Sequence, residues 1–526
     1  MDKIRRNLML GAAATAAMSM FSIGMARQTL SKKNLPVAHA KLGINLAGIA
    51  YWSSEFPFVD LFKQSGAWFV DGKETADSGL ALDTDGWVTQ LPLGVVASTI
   101  VSAFDNNHFP SGDYVILYDG EGVINVPNYL YKSAKPGRMV VNVNGQKGAF
   151  RLDITKTNPQ NYIKNIRVVL KTQEDTYQKN RWSPTFLNRW SGIACLRFMD
   201  FMQTNNSQQV IWNDRAKPSD ASFVSKGVPL EWLVDLANQL NCDAWFCMPH
   251  KADDDYIKQF AIYVKDNLKL ELRAWVENSN EVWNGGFQQS KDASTAGLQL
   301  KFAYKPWEAA FRYYAYRSVQ IFNIWTSVYN GHDRFVRVLA SQAATEYASE
   351  QILSFQDAAS HADVLAIAPY ISFMVPHTDE NGLNDRTVST WNLEQLFKYL
   401  NAVSLPESTQ WVKNSKKIAD QYGLKLVAYE AGQHLVGVGG AENNEKLNDL
   451  LYRANADERM GDIYTKSLMK WAQLGGDLTC TFNSVGGWSK WGSWGLLQNH
   501  DDAPSSSPKF MATIKWAISR GQKMTI

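Results

Sequence analysis

Two glutamates stand where paired carboxylate chemistry could be done. Glu281 lies in ELRAWVENSNEVWNGG and Glu430 in LKLVAYEAGQHL, each just after a short apolar run of the kind that forms a buried β-strand. Two carboxyls offered from different strands of one sheet can serve a glycosidic bond, one as acid and one as nucleophile. For that they must differ in protonation, and mutual repulsion helps to separate their ionisations. Taken singly, either glutamate also suits a buried ion pair.

The elements that must position them can be followed along the chain. An apolar strand spans Leu42 to Ile49, and after residue 180 similar runs recur with helical stretches between them. They are IACLRF, DAWFCM, LRAWV, FVRVLAS, VLAIAPY, LKLVAY and DLTCTF. Continuous apolar strands separated by helices predict a parallel sheet covered by helices, and eight of them predict an α/β fold of the (β/α)8 barrel type. Glu281 then follows strand four and Glu430 strand seven, at the C-terminal ends where barrels carry their chemistry. Ser183-Pro184 and Ser507-Pro508 read as helix starts.

Between strands one and two the pattern changes to short strands with turn signals. Asn144-Gly145 lies between two alternating runs, Met139, Val141, Val143 and Phe150, Leu152, Ile154, which predicts a hairpin. The expected organisation is a barrel from 40–67 and 178–526 with a β-sandwich-like insert at 68–177. Such an insert is either a carbohydrate-binding module or a structural pack against the barrel. The second is expected, because its aromatics (Phe104, Phe109, Tyr114, Tyr118, Tyr129, Tyr131) are scattered among apolar runs and form no exposed row.

The string with Asn280 directly before Glu281 resembles the acid/base motif of the clan A retaining glycoside hydrolases, and the aromatic-Glu pair Tyr429-Glu430 resembles their nucleophile strand. The resemblance covers roughly residues 40–60 and 180–526. The combination SNEVWN, MPHKADDD and KWGSWGL matches no familiar family within the clan, and the insert after strand one departs from the usual pattern. The resemblance implies hydrolysis of a β-linked poly- or oligosaccharide by double displacement, without a cofactor. It implies that Glu281 is the acid/base, with Asn280 holding a sugar hydroxyl, and that Glu430 is the nucleophile. Arg197, ending strand two, and Tyr370, ending strand six, would bond the nucleophile; a salt bridge closing the barrel is the alternative use of these positions. A strand-eight Trp commonly stacks on the sugar, and Trp488 is the candidate among Trp488, Trp491 and Trp494. Trp52, Trp283, His250 and His434 are further candidates for lining the sugar site, although a lone His is as often a structural hydrogen-bonder. Glu277 competes with Glu281 and is read as supporting a loop.

Other readings have less behind them. A non-catalytic glycan-binding protein on a barrel would not need both glutamates. No G-x-S-x-G elbow is present, and GVGG at 437–440 lacks the strand-turn-helix context of a phosphate loop. Asp253, Asp254 and Asp255 could bind calcium but suit a helix N-terminus better, so no metal is expected. The 526 residues carry a net charge of +2 with no basic stretch beyond the N-terminus, so nothing points to nucleic acid. A hydrophobic content of 45% supports a large core, and the 19 Trp and 21 Tyr suit both that core and sugar platforms. Residues 1–26 resemble an export signal, with Arg5-Arg6 before an apolar run too short to span a membrane. KIRRNLML resembles a twin-arginine signal, so an exported protein free of the membrane after processing is expected. Cys195, Cys242, Cys247 and Cys480 read as buried free thiols, lacking the spacing of a zinc site.

Overall fold

The computed structural model describes residues 40–525, apart from 71–72, 75–77, 104–107 and 379–381. The signal-like segment at 1–26 and Phe104 lie outside the described residues. Among the described residues no helix is long and apolar enough to cross a membrane.

Eight parallel strands close into a barrel in chain order: Lys41–Asn45, Cys195–Arg197, Asp243–Met248, Ala274–Asn278, Phe335–Ala340, Val364–Ile367, Lys425–Ala428 and Gly476–Thr481. Each falls within or overlaps an apolar run picked out above. Burial on both faces explains why these runs are continuous rather than alternating: every residue of Ala274–Asn278 and of Phe335–Ala340 is buried. Strand one stops at Asn45, earlier than expected. Residues 46–50 remain buried or nearly so but turn along the C-terminal face of the barrel, where the Ala47 amide donates to Ser484 Oγ. Gly43 faces Cys195 on one side and Cys480 on the other, and a Cβ there would meet Cys480 Sγ at 2.6 Å. All four cysteines are buried and free. The helices predicted from their Ser-Pro starts span Pro184–Trp190 and Pro508–Ser519.

Beside a small pair, Ala81–Leu82 with Val88–Gln90, the segment between strands one and two builds two larger antiparallel sheets. One orders Lys164–Leu170, Gly112–Asp119, Arg138–Val143 and Leu130–Lys135; the other orders Lys73–Glu74, Phe69–Val70, Ala97–Ala103, Ala149–Thr157 and Gly122–Asn125. The expected hairpin at Asn144-Gly145 is not formed. Arg138–Val143 and Ala149–Thr157 lie in different sheets, and Asn144 instead caps a short 3₁₀ turn by accepting from the Gln146 amide at 3.0 Å. The reason is in the apolar sets themselves: Met139, Val141, Val143, Phe150, Leu152 and Ile154 all enter one core, facing each other across the sandwich rather than lying side by side. That core also takes Phe56, Leu61 and Phe62 from the chain just after barrel strand one, and Ala221 from the loop after strand two. Phe62 stacks on Trp87 at 5.6 Å. Phe58, two residues after Phe56, faces the other way and packs in the barrel core against Trp182 and Trp232. The two cores are thus threaded on one short stretch of chain.

A second feature was not anticipated. Ile371–Pro376 and Gln433–Val438 pair in parallel as a two-stranded ribbon following strands six and seven. Ile371, Phe373, Val375, Gln433 and Leu435 are buried, whereas Ser372, His434 and Met374 alternate onto the less buried face.

Candidate active site

Strand four ends in a tight reversal. Ser279 and Glu281 both have left-handed backbone, at φ 60° and 43°, on either side of Asn280. Non-glycine residues rarely hold this conformation, and such strain concentrates where side chains must be aimed. The Ser279 amide is tied to the Met248 carbonyl on strand three at 2.8 Å. The reversal leaves Glu277, Asn278, Ser279 and Asn280 buried and Glu281 half-buried.

Arg197, wholly buried at the end of strand two, organises what surrounds it. Its Nη1 donates to Glu430 Oε1 at 3.0 Å and to Asn45 Oδ1 at 3.0 Å. Its Nη2 donates to both oxygens of Glu277, at 3.1 and 3.0 Å, and to Asn280 Oδ1 at 2.8 Å, while Nε donates to Glu277 Oε2 at 3.1 Å. Glu277 also accepts from the Trp245 indole at 2.8 Å. Glu277 is therefore the bidentate counter-ion of Arg197, a closer engagement than loop support. The second oxygen of Glu430 accepts from the Tyr370 hydroxyl at 2.9 Å. Glu281 has different partners: Oε1 accepts from the Tyr429 hydroxyl at 3.1 Å and Oε2 from Asn284 Nδ2 at 3.0 Å.

Burial pushes Glu430 up, the nearby Glu281 pushes it further, and Arg197 and Tyr370 oppose the rise. Burial likewise raises Glu281, against its bonds from Asn284 and Tyr429. The two titrate as a unit. Of the two donors on Glu430, the Tyr370 hydroxyl and Arg197, the guanidinium can never accept. Among the described residues, Glu281 touches no cation directly. Of the shared states, the one with Glu430 ionised and Glu281 protonated is favoured by these partners.

The remaining candidates divide into two groups. Asn280 is buried between Arg197 and Asn205, whose Oδ1 accepts from its amide at 3.1 Å. Tyr370 and His434 pack ring to ring at 5.8 Å, and burial pushes the His434 imidazole down to about 4, so it is neutral near pH 7. The indole that meets His434, at 5.8 Å, is Trp494. Trp488 instead packs on Tyr452 and beneath the Lys509 ammonium, 5.3 Å from its ring. Through His434 and Tyr370, Trp494 is the strand-eight ring linked to Glu430, whereas the ring contacts of Trp488 lead to Tyr452 and Lys509. His250 is bonded to Asp292, its Nε2 3.1 Å from Oδ2, and burial pushes its imidazole down. Trp283 packs against the barrel core, and Trp52 stands half exposed with its edge on Tyr51. Asp253 caps the helix Asp254–Asn267 by accepting from the Tyr256 amide at 2.7 Å, the role expected of it in place of calcium.

Sequence reasoning passed over the bridging roles of Asn45, Asn284 and the Tyr429 hydroxyl. Asn45 Nδ2 donates to the Tyr429 carbonyl at 2.8 Å, tying strand one to strand seven just before Glu430. Its position as the last residue of an apolar strand was the available signal.

No protein-family model matches the chain, and no curated protein does. Solved structures that resemble it include a 4-O-α-L-rhamnosyl-β-D-glucuronidase from Fusarium oxysporum, at 13% identity and a TM-score of 0.38 over 63% of each chain. The match therefore spans less than two thirds of that enzyme. A broad-specificity endoglucanase of the GH5-4 group from Clostridium acetobutylicum matches at 12% identity and a TM-score of 0.33, over 64% of this chain and 91% of that one. An endo-1,4-β-D-mannanase from Thermotoga petrophila matches at 13% and 0.33, over 64% and 94%. These neighbours are glycoside hydrolases; what the present site can do rests on its own groups.

Proposed function

We propose that this protein is an exported glycoside hydrolase of the clan A type, cleaving a β-linked poly- or oligosaccharide with retention of configuration. Glu430 attacks the anomeric carbon while Glu281 protonates the leaving oxygen; Glu281 then takes a proton from water, which releases the sugar from Glu430. The observation that carries the reading is the contrast between the two carboxyls. Glu430 is held by Arg197 and Tyr370, the partners an anionic nucleophile needs, while Glu281, at the same mouth of the barrel, has no direct cation partner among the described residues. Tyr370, His434 and Trp494 form a ring-lined wall beside Glu430 that suits the face and hydroxyls of a sugar. The test is product analysis against a panel of β-glucans, mannans and bacterial exopolysaccharides, with Glu430→Gln as the control. Hydrolysis by the wild type and none by the variant is expected. Equal activity of the two on every substrate cleaved would overturn the reading.

A further inference from the structure

The acid/base of such a reaction must hold a proton in one half of the cycle and lose it in the other, and this inference rests on that role for Glu281. A partner suited to both states must be able to accept as well as donate. Asn284 is not one: its amide is fixed, because Oδ1 accepts from the Gly286 amide at 3.1 Å and leaves Nδ2 to face Glu281 Oε2. The hydroxyl of Tyr429 on Oε1 can do both.

We infer that Tyr429 is the positioning residue of the acid/base, keeping the Glu281 carboxyl aimed through both of its protonation states. With Oε2 occupied by the Asn284 donor, the proton of Glu281 resides on Oε1 and rests against the Tyr429 oxygen until a leaving oxygen takes it. Once it has gone, the same hydroxyl rotates and donates to the bare Oε1. The phenolic proton stays on Tyr429 throughout; the only proton transferred is that of Glu281. Tyr429 is fit for this because it cannot move. It is wholly buried, its carbonyl is held by Asn45, its ring lies 5.0 Å beneath the Arg197 guanidinium, and the next residue is Glu430. Burial, with Glu281 and Glu430 close by, pushes its phenol well up, so it remains a donor.

The ionisable groups acting on Glu281 are Arg197 from strand two, Glu277 from strand four, Tyr370 after strand six and Glu430 after strand seven. Tyr429→Phe leaves all of them in place and keeps the ring under Arg197. The experiment labels the full chain with glutamate carrying ¹³C at the side-chain carboxyl. It then follows the Glu281 resonance, identified as the one missing from Glu281→Gln, against pH. Loss of a hydrogen bond that favours the ionised form should move the Glu281 midpoint in Tyr429→Phe upward by about half to one pH unit. A midpoint that stays put or moves down overturns the inference, even if the variant is less stable, since ring packing alone would not shift it. Turnover of the cleaved polysaccharide by Glu281→Gln separates the two ideas. Undiminished turnover sinks the acid/base role itself and this inference with it. Lost turnover with an unmoved Tyr429→Phe midpoint sinks only the inference.

Discussion

Replacing Arg197 by Met should be the most damaging single change at this site, and its penalty should depend on pH. Arg197 is wholly buried and supplies donors to Glu277, Glu430, Asn45 and Asn280. Its loss leaves Glu277 with the Trp245 indole and Cys247 and Glu430 with Tyr370, and orphans two amide oxygens. Breaking a buried ion pair by removing one partner costs about 3–5 kcal/mol, and each orphaned acceptor adds about 1 kcal/mol. A loss of about 5 kcal/mol or more is therefore expected near pH 8. The sign with pH follows from the carboxyls. Burial already holds Glu277 and Glu430 above their unfolded values, so both favour the fold fully at low pH and cease to as pH rises through their folded values. Without the guanidinium those folded values rise further, so the variant pays most in alkaline solution and least in acid, where protonation neutralises the stranded groups. Urea unfolding followed by circular dichroism at pH 5 and pH 8 measures this. Adding Glu277→Met to Arg197→Met should recover part of the loss at pH 8, because it removes one stranded charge. A penalty below about 1 kcal/mol, or one equal at both pH values with no recovery in the double variant, would refute the reasoning.

Other outcomes follow from the same geometry. Glu430→Gln should abolish turnover with folding and glycan binding nearly intact, checked by activity beside affinity-gel retardation. The Glu281 and Glu430 carboxyls should lie about 5–5.5 Å apart in a crystal structure, the retaining separation, and freshly released product should keep its anomeric configuration by NMR. Trp494→Ala should raise KM for the cleaved glycan more than Trp488→Ala, since only Trp494 meets His434; the reverse order would put the sugar platform on Trp488. Residues 68–177 expressed alone should be poorly folded, as judged by a weak or absent thermal transition, because Phe56, Leu61, Phe62 and Ala221 of their core are left behind.

The barrel was legible because its strands are buried on both faces, which writes them as unbroken apolar runs, and the carboxylates read after two of those runs, Glu281 and Glu430, are joined through consecutive residues at the end of strand seven, Tyr429 bonding Glu281 and Glu430 following it. What stayed hidden depends on partners distant in sequence. Asn144-Gly145 with alternating flanks reads the same whether the two runs pair beside each other or face each other across a sandwich; only their other neighbours decide, and those neighbours lie at 112–119 and 97–103. Trp488 and Trp494 sit in one glycine-rich loop, and their separation follows from where Lys509 and His434 arrive from elsewhere in the chain. Glu277 was misjudged for a similar reason: adjacency to a strand says nothing of the arginine across the barrel that claims it.

That arginine also bears on why two chemically identical side chains should take opposite roles. Three carboxyls, Glu277, Glu281 and Glu430, converge where one guanidinium is available. Ionising all three would leave two uncompensated negative charges in a poorly solvated pocket, which desolvation and mutual repulsion both oppose. The cheapest way out is to keep one proton, and it falls to the carboxyl farthest from positive charge. Glu277 takes a three-bond grip on Arg197 and Glu430 takes a direct bond, while Glu281 is met only by a phenol and an amide. On this argument the acid is made by exclusion from Arg197, and Glu277 matters because it occupies the cation that would otherwise hold Glu430 more strongly. Glu277→Gln, which keeps the volume and removes the charge, should therefore lower the Glu430 ionisation and move the acidic limb of the pH-rate profile down. An acidic limb that moves up, or does not move, would mean that Glu277 does not compete for the guanidinium and that the division of roles has another origin.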